Sequence, residues 1–151
     1  MTVRDANKND CEIMDGLLTE LIRYETRYDS NLSQGYSVKN NYTERLEWPG
    51  HKAFIAEENG EAAGFVYGFI YSIPDMYVSP IAIVDALYVR EEFRGRGIGR
   101  ELFSEFKKFA AAENAARIEL KVMSENDKAL ALYGSLGFRE TKKYMALELD
   151  R

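Results

Sequence analysis

A glycine-rich turn, Arg-Gly-Arg-Gly-Ile-Gly at residues 94–99, is the feature that most constrains how this chain folds. It lies between an apolar strand pattern that ends at Val89 and a helical pattern that begins at Ile98. Every second residue of the turn lacks a side chain, so an anionic ligand can approach the unpaired N–H groups of the helix's first turn. The two arginines add positive charge. The segment therefore predicts a phosphate-binding turn between a strand and a helix.

The turn does not match the two common nucleotide-binding motifs, and this limits which phosphate ligand it can bind. A dinucleotide-binding fingerprint needs glycine at the position where this chain has Arg100, and no Lys-Ser or Lys-Thr pair follows as in a P-loop. Both common nucleotide-binding interpretations are therefore weakened. A turn that only caps the helix, without any ligand, remains an open alternative.

The pattern Arg94-x-x-Gly97-x-Gly99 resembles the Arg/Gln-x-x-Gly-x-Gly/Ala signature of the GNAT superfamily of acyl-CoA-dependent N-acyltransferases. A second segment, residues 126–138, resembles the Asn-x-x-Ala-x-x-x-Tyr-x-x-x-Gly-Phe stretch of the same family. The resemblance covers about residues 53–149, whereas residues 8–50 match nothing specific. It implies an N-acetyltransferase that uses acetyl-CoA as its cosubstrate.

The resemblance also implies where coenzyme A would bind. In the family, amides of the turn bind the pyrophosphate, and exposed strand backbone hydrogen-bonds to the pantetheine arm. The residues that the resemblance assigns to coenzyme binding are Leu87, Tyr88, Val89, Arg94, Gly95, Arg96, Gly97, Ile98, Gly99 and Asn126. Asn126 is also expected to cap the helix that follows it, and the two functions are compatible.

Hydrophobic periodicity predicts a mixed α/β chain. The predicted strands are Val3–Ala6, Lys52–Glu57, Ala62–Ser72, Ile81–Val89, Ile118–Val122, Phe138–Thr141 and Tyr144–Leu149, and the predicted helices cover residues 9–28, 39–46, 98–114 and 126–137. This order is similar to the GNAT fold, of class α/β (α+β). That fold implies a mixed, mostly antiparallel sheet of about six to seven strands flanked by about four helices. Its two parallel central strands, here those ending at Val89 and Val122, splay apart.

Asp85 is the candidate general base, because an alkylammonium group titrates near pKa ~10.4 and must lose a proton before it can attack a thioester. It is the only charged side chain between Ile81 and Val89, and burying a carboxylate in an apolar strand is costly unless it is partnered or used. Strand alternation places it on the same side as Leu87 and Val89, unless a bulge intervenes. Several GNAT enzymes carry a catalytic glutamate at a similar position. A structural aspartate is the open alternative, and the short side chain makes transfer through a water plausible.

Tyr133 is the candidate acid that protonates the departing thiolate. Helical spacing alone predicts a core aromatic residue, since Ala129, Tyr133 and Leu136 share one helix face. The acid function is implied by the resemblance of Tyr133-x-x-x-Gly137-Phe138 to the family stretch.

Composition limits the function classes. The chain has 151 residues, which predicts a single domain over residues 1–151, and its net charge of −5 disfavours nucleic acid as a partner. No apolar run approaches the ~20 residues of a membrane span, and the N-terminus lacks an apolar signal region, so a cytoplasmic location is expected. One cysteine, Cys11, and one histidine, His51, predict no metal site. Neither has a visible partner that would orient it for catalysis.

We therefore expect transfer of the acetyl group directly to a primary amine of a small molecule or protein. A catalytically silent CoA-binding or sensor module and a nucleotide-binding interaction domain are the alternatives. The expected partners are acetyl-CoA and an amine acceptor, and the sequence does not distinguish a monomer from a homodimer. Aromatic and acidic residues interleaved over residues 20–48 form either an acceptor pocket or a solvated helix face.

Overall fold

The computed structural model describes residues 1–150, which form two compact units divided between Lys121 and Val122. The first unit holds the strands β1 to β5 and the helices α1 to α3, and the second unit holds α4. In chain order the elements are β1 (Thr2–Asp5), a 3-10 turn (Lys8–Asp10), α1 (Cys11–Glu25), α2 (Tyr42–Arg45), β2 (His51–Glu58), β3 (Glu61–Tyr71), β4 (Ile81–Val89), a 3-10 turn (Glu91–Phe93), α3 (Ile98–Ala112), β5 (Ile118–Leu120) and α4 (Asp127–Ser135). No helix among the described residues is both long and apolar enough to cross a membrane.

The sheet has the strand order β1-β2-β3-β4-β5, with antiparallel pairs up to β4 and a parallel pair between β4 and β5. This confirms the predicted mixed, mostly antiparallel α/β class. The parallel pair joins only Ala82–Val84 to Ile118–Leu120, whereas β4 continues to Val89. The parallel pairing therefore ends at Val84, because β5 ends at Leu120, two residues before the predicted strand end at Val122.

The expectation of six to seven strands is wrong for the described residues, in which the sheet has five. Neither Phe138–Thr141 nor Tyr144–Leu149 forms a strand. Both segments have the composition of a strand, but a strand exists only where a neighbouring strand pairs with its backbone N–H and C=O groups. Composition reports a preference and does not supply that partner.

A β-bulge at Asp85 divides β4 into two halves. Across the β3–β4 ladder Tyr67 pairs with Ala86 while Gly68 pairs with Val84, so Asp85 is an extra residue with no partner. An extra residue shifts the alternation of side chains by one position. Val84 accordingly packs in the core beneath α3, and Ala86 packs in the core beneath α1 and α2. We call these the α3-side core and the α1-side core.

The α3-side core closes over the bulge because Gly68 has no side chain. A Cβ atom at Gly68 would lie 2.1 Å from the carbonyl oxygen of Ile83 and 2.5 Å from Cζ of Phe106. The fully buried ring of Phe106, from α3, thus rests directly on the β3 backbone beside the bulge. This close approach fixes the position of α3, and with it the turn that precedes α3.

Helix α2 spans Tyr42–Arg45 and is shorter than the predicted helix over residues 39–46. Two backbone N–H groups ahead of it bond to side chains of α1 instead of to a helical turn. The N–H of Val38 donates to Thr19 Oγ1 at 2.9 Å, and that of Asn41 donates to Asp15 Oδ1 at 3.2 Å. These bonds hold the approach to α2 in a non-helical path.

The second unit carries the predicted helix cap and helix end. Asn126 Oδ1 accepts a hydrogen bond from the Ala129 N–H at 3.1 Å, which confirms the cap at the start of α4. Gly137 follows the helix with a φ of 98°, the left-handed conformation expected at a helix C-terminus. The rings of Tyr133 and Phe138 make an edge-to-face contact at 5.7 Å.

Gly68→Ala is predicted to lower the free energy of unfolding by about 3 kcal/mol, because the new methyl group overlaps a backbone carbonyl and a buried ring. The matched control is Gly16→Ala on the exposed surface of α1, where a Cβ meets nothing within 4 Å. That control should gain about 0.5–1 kcal/mol from helix propensity. Urea denaturation of both variants measures the difference, and equal stabilities would contradict the packing account.

Candidate active site

The glycine turn between β4 and α3 has the geometry of an anion site. Gly95 and Gly97 both have a φ of 80°, and a Cβ atom at either position would meet nothing within 4 Å. Gly97 is the N-cap residue of α3, and no side chain caps the helix there. The first N–H groups of an α-helix lack intrahelical partners and favour an anion. The residues present therefore fit a phosphate group that approaches bare backbone.

The two arginines of the turn are held in different ways. Arg94 Nε donates to the carbonyl oxygen of Val89 at 2.8 Å, and its guanidinium lies 4.9 Å from the ring centre of Tyr24. Arg94 thereby ties the turn to the end of β4 and to α1. Arg96 donates to Glu58 Oε2 at 2.6 Å and is half exposed. That these two arginines bind an anionic ligand stays a prediction.

The end of β4 lies beyond its pairing with β5, its side chains pack against the two cores, and the Val89 carbonyl oxygen accepts from Arg94. Leu87 and Val89 pack against the α3-side core, and Tyr88 packs in the α1-side core. The Tyr88 hydroxyl lies 3.4 Å from Glu20 Oε1. Since the pairing with β5 ends at Val84, this arrangement suits the backbone contacts that the sequence predicts for residues 87–89.

The structure corrects two expectations about Asp85. Its side chain is exposed, so the argument from a buried carboxylate does not hold. Its charge acts on Tyr42 and Tyr67 in the α1-side core, whereas Leu87 and Val89 pack on the opposite face of the sheet. The bulge is the physical reason, because one additional residue reverses the alternation on which the expected side depended.

Asp85 belongs to a group of polar side chains on the α1 side of the sheet, which we call the Asp85 cluster. Its members come from α2 and from the strands β2, β3 and β4, and they are Tyr42, Arg45, His51, Tyr67 and Asp85. Burial raises the pKa of Tyr42 and of Tyr67, and the negative charge of Asp85 raises both further. Burial lowers the pKa of His51, the positive charge of Arg45 lowers it further, and Asp85 opposes that effect.

The two tyrosines of the cluster differ in one respect. Both are fully buried, and their rings meet edge to face at 4.9 Å. The Tyr67 hydroxyl lies 2.5 Å from His51 Nδ1, whereas the Tyr42 hydroxyl is buried and has no hydrogen-bond partner within the described residues 1–150. An unsatisfied buried hydroxyl costs about 1–3 kcal/mol of stability. Tyr42 thus carries an energetic penalty that Tyr67 avoids.

Two matched substitutions test this difference. Tyr42→Phe removes the unpartnered hydroxyl and keeps the ring, so the free energy of unfolding should stay constant or rise by about 1 kcal/mol. Tyr67→Phe leaves His51 Nδ1 without its partner and should lower the free energy of unfolding by about 1–3 kcal/mol. Urea denaturation of both variants gives the comparison. A loss in Tyr42→Phe as large as that in Tyr67→Phe would show that Tyr42 has a partner.

The sequence did not predict the Asp85 cluster. The hydrogen-bond partner of His51, Tyr67, is 16 residues away and comes from the adjacent strand. The aromatic residues over residues 20–48, for which the sequence left an acceptor pocket or a solvated helix face open, have separate surroundings in the structure. Tyr24 lies beneath Arg94 beside the glycine turn, whereas Trp48 contacts the ring of His51 at 5.2 Å.

Tyr133 and Asn126 belong to the second unit. The contact of Tyr133 with Phe138 and the cap made by Asn126 both account for their packing within that unit. An acid function for Tyr133 and a coenzyme contact for Asn126 stay predictions.

The fold and the glycine turn define a class of acyl-CoA-dependent transferases. The chain belongs to the acetyltransferase (GNAT) family, whose model matches residues 18–138. It is similar to the thialysine N-epsilon-acetyltransferase of Sus scrofa, with 28% identity over 142 residues, 91% of this chain and 84% of that protein. It is also similar to an uncharacterized N-acetyltransferase of Archaeoglobus fulgidus, with 29% identity over 139 residues, 92% of this chain and 93% of that protein.

Solved structures show the same fold. A mutant of the BH1408 protein from Bacillus halodurans has a TM-score of 0.87 and 25% identity, with 99% of each chain covered. The aminoglycoside N-acetyltransferase AAC(6')-Iy in complex with CoA has a TM-score of 0.74 and 22% identity, covering 99% of this chain and all of that one (100%). The similarity to AAC(6')-Iy concerns the fold alone.

Proposed function

We propose that this chain transfers the acetyl group of acetyl-CoA directly to a primary amine of a small molecule or protein. The similarity to the thialysine N-epsilon-acetyltransferase of Sus scrofa supports a primary amine as acceptor. The aminoglycoside acetyltransferase with which this chain shares its fold acts on another class of amine. We therefore propose a chemical class of acceptor, primary amines, and no single compound.

One observation carries the proposal, which is that the exposed carboxylate of Asp85 and the strand end that leads to the glycine turn belong to the same strand, β4. At its bulge β4 exposes the carboxylate of Asp85, and beyond Val84 its edge is released from β5. The strand then leads through a 3-10 turn into Gly95 and Gly97. A general base and a coenzyme site that share one rigid strand keep a fixed separation, as acetyl transfer between two bound substrates requires.

The glycine turn would hold the pyrophosphate of coenzyme A, and the backbone of residues 87–89 would hold its pantetheine arm. When bound, acetyl-CoA supplies a thioester, whose C–S bond breaks as the new C–N bond forms and whose sulfur leaves as a thiolate. Asp85 takes the proton that the amine loses, either directly or through a water. The hydroxyl of Tyr133 donates a proton to the thiolate, in the function that the sequence predicts for it.

Direct transfer agrees with the state of Cys11. This thiol is buried, and burial raises its pKa, an effect that the charges of Asp15 and Asp10 increase. A protonated, buried thiol is a poor nucleophile. The acetyl group therefore passes to the amine without an intermediate on this cysteine.

A screen of primary amines tests the proposal. Thialysine, lysine, a polyamine, an aminoglycoside and a lysine-containing peptide are each incubated with acetyl-CoA, and release of free thiol is measured. Asp85→Asn should lower kcat/KM for the best acceptor about 10²-fold at neutral pH, because the amine loses its proton acceptor. The loss should shrink towards pH ~9.5, where more of the amine is already neutral. Coenzyme binding without turnover of any amine would identify a silent binding module instead.

A second prediction concerns the coenzyme site. Gly97→Ala should weaken coenzyme A binding at least tenfold, because the methyl group enters the space that a phosphate needs. Gly60→Ala in the β2–β3 hairpin is a matched control, since Gly60 has a φ of 79° and equally open surroundings. Both variants carry the same strain, about 1–2 kcal/mol, from an L-residue at positive φ. Titration calorimetry should find weakened binding only in Gly97→Ala, and equal affinities in both variants would leave the turn as a helix cap.

A further inference from the structure

His51 has the geometry of a functional side chain, although the mechanism above makes no use of it. Its ring stacks on Phe69 at 5.0 Å with an interplanar angle of 21°, and Trp48 meets it edge to face. The Nδ1 atom lies 2.5 Å from the Tyr67 hydroxyl. Stacking and the hydrogen bond together hold the imidazole in one orientation. Trp48 is 44% exposed, so the group of rings around His51 reaches the protein surface.

The register of the sheet brings this histidine close to the bulge. Tyr67 pairs with Ala86, the residue that directly follows Asp85. Tyr67 and Tyr42 belong to the α1-side core, the face on which the charge of Asp85 acts. Tyr67 thus contacts the imidazole of β2 through its hydroxyl, pairs with the residue next to Asp85 on β4, and is subject to the charge of Asp85.

The charged groups that face His51 oppose one another. Arg45, from α2, lies on one side and lowers the pKa of the imidazole beyond the effect of burial, whereas Asp85, from β4, raises it. Tyr67, from β3, is the titratable group that contacts the imidazole directly, and burial raises the pKa of its hydroxyl, an effect that Arg45 opposes. The resting imidazole is therefore neutral at neutral pH and able to accept a proton.

We propose that His51 receives the acceptor's proton from Asp85 and releases it to solvent, so that Asp85 is ionised again for the next turnover. This inference rests on the proposed function. One proton leaves the amine nitrogen, is held by the Asp85 carboxylate, and passes to the imidazole directly or through a water. The imidazolium then loses that proton to bulk water, and both side chains return to their starting states. His51 acts through Asp85 and is not required to touch either substrate.

Elementary acid–base chemistry favours such a relay. An alkylammonium has a pKa near ~10.4, an imidazole near ~6.5 and a carboxyl group near ~4, so an imidazole is the better match to the departing proton. Arg45 ensures that the imidazolium does not persist, because its charge disfavours a second cation beside it. The proton is thereby passed on.

The first test needs no turnover, because His51 is the only histidine in the chain. Its imidazole gives a single titration curve in an NMR experiment on the untagged protein. The midpoint should lie below ~6.5 in the wild type and fall further in Asp85→Asn, where the opposing charge is lost. A midpoint that Asp85→Asn leaves unmoved would overturn the coupling.

The second test separates proton acceptance from packing with two variants. His51→Asn keeps an N–H for the Tyr67 hydroxyl and loses the ring, whereas His51→Phe keeps the stacked ring and loses both nitrogens. If His51 accepts the proton, both variants should lower kcat/KM for the best amine of the screen about tenfold or more at pH 7. Both losses should shrink towards pH ~9.5, and added imidazole should restore part of the activity of His51→Asn.

The outcomes separate this inference from the proposed function. A wild-type protein that acetylates no amine overturns the proposed function and the relay with it. An active enzyme in which only one of the two variants is impaired, or in which the losses are equal at every pH, overturns the relay alone. In the double variant of Asp85→Asn and His51→Asn, losses that simply multiply would also overturn it, because consecutive groups on one proton path are not independent.

Discussion

The contact between Phe106 and the bare backbone of Gly68 is the constraint on which the rest of the site depends. It lets α3 lie against the sheet where β4 contains an extra residue. Without that close approach the bulge would leave a gap in the α3-side core. With it, Val84 packs beneath α3 and Ala86 packs beneath α1 and α2, and the carboxylate of Asp85 is exposed at the bulge between them.

Elements set by local chemistry could be predicted from the sequence. The Asn59-Gly60 turn joins β2 and β3, and the glycine turn precedes α3, because both depend on which residues tolerate a left-handed backbone. The mixed sheet followed from the order of apolar patterns. Which residues of two strands pair with each other is not determined by the local sequence of either strand. The bulge is a property of the pairing between β3 and β4, and a pattern with a period of two placed Asp85 on the wrong face.

Contacts between residues that are distant in sequence also explain why parts of the candidate site could not be predicted. His51 has its hydrogen-bond partner on another strand, and Tyr42 lies in a short helix whose approach is shaped by side chains of α1. Each of these contacts joins residues that are 16 to 26 positions apart. The predicted strand at Tyr144–Leu149 failed for a related reason, because a suitable composition cannot provide a pairing partner.

The two bonds from α1 to the segment before α2 have an evolutionary consequence. Thr19 and Asp15 accept from the backbone N–H groups of Val38 and Asn41, so these two anchors do not require particular side chains in the chain between α1 and α2. Lengthening such a connection is inexpensive, since doubling a flexible loop costs only about 0.6 kcal/mol of closure entropy. Residues 29–37 can therefore be exchanged, lengthened or shortened while Tyr42 and Arg45 keep their places. The fold thus offers a replaceable segment beside a fixed polar cluster, an arrangement through which descendants of one scaffold can diverge in the molecules they accept.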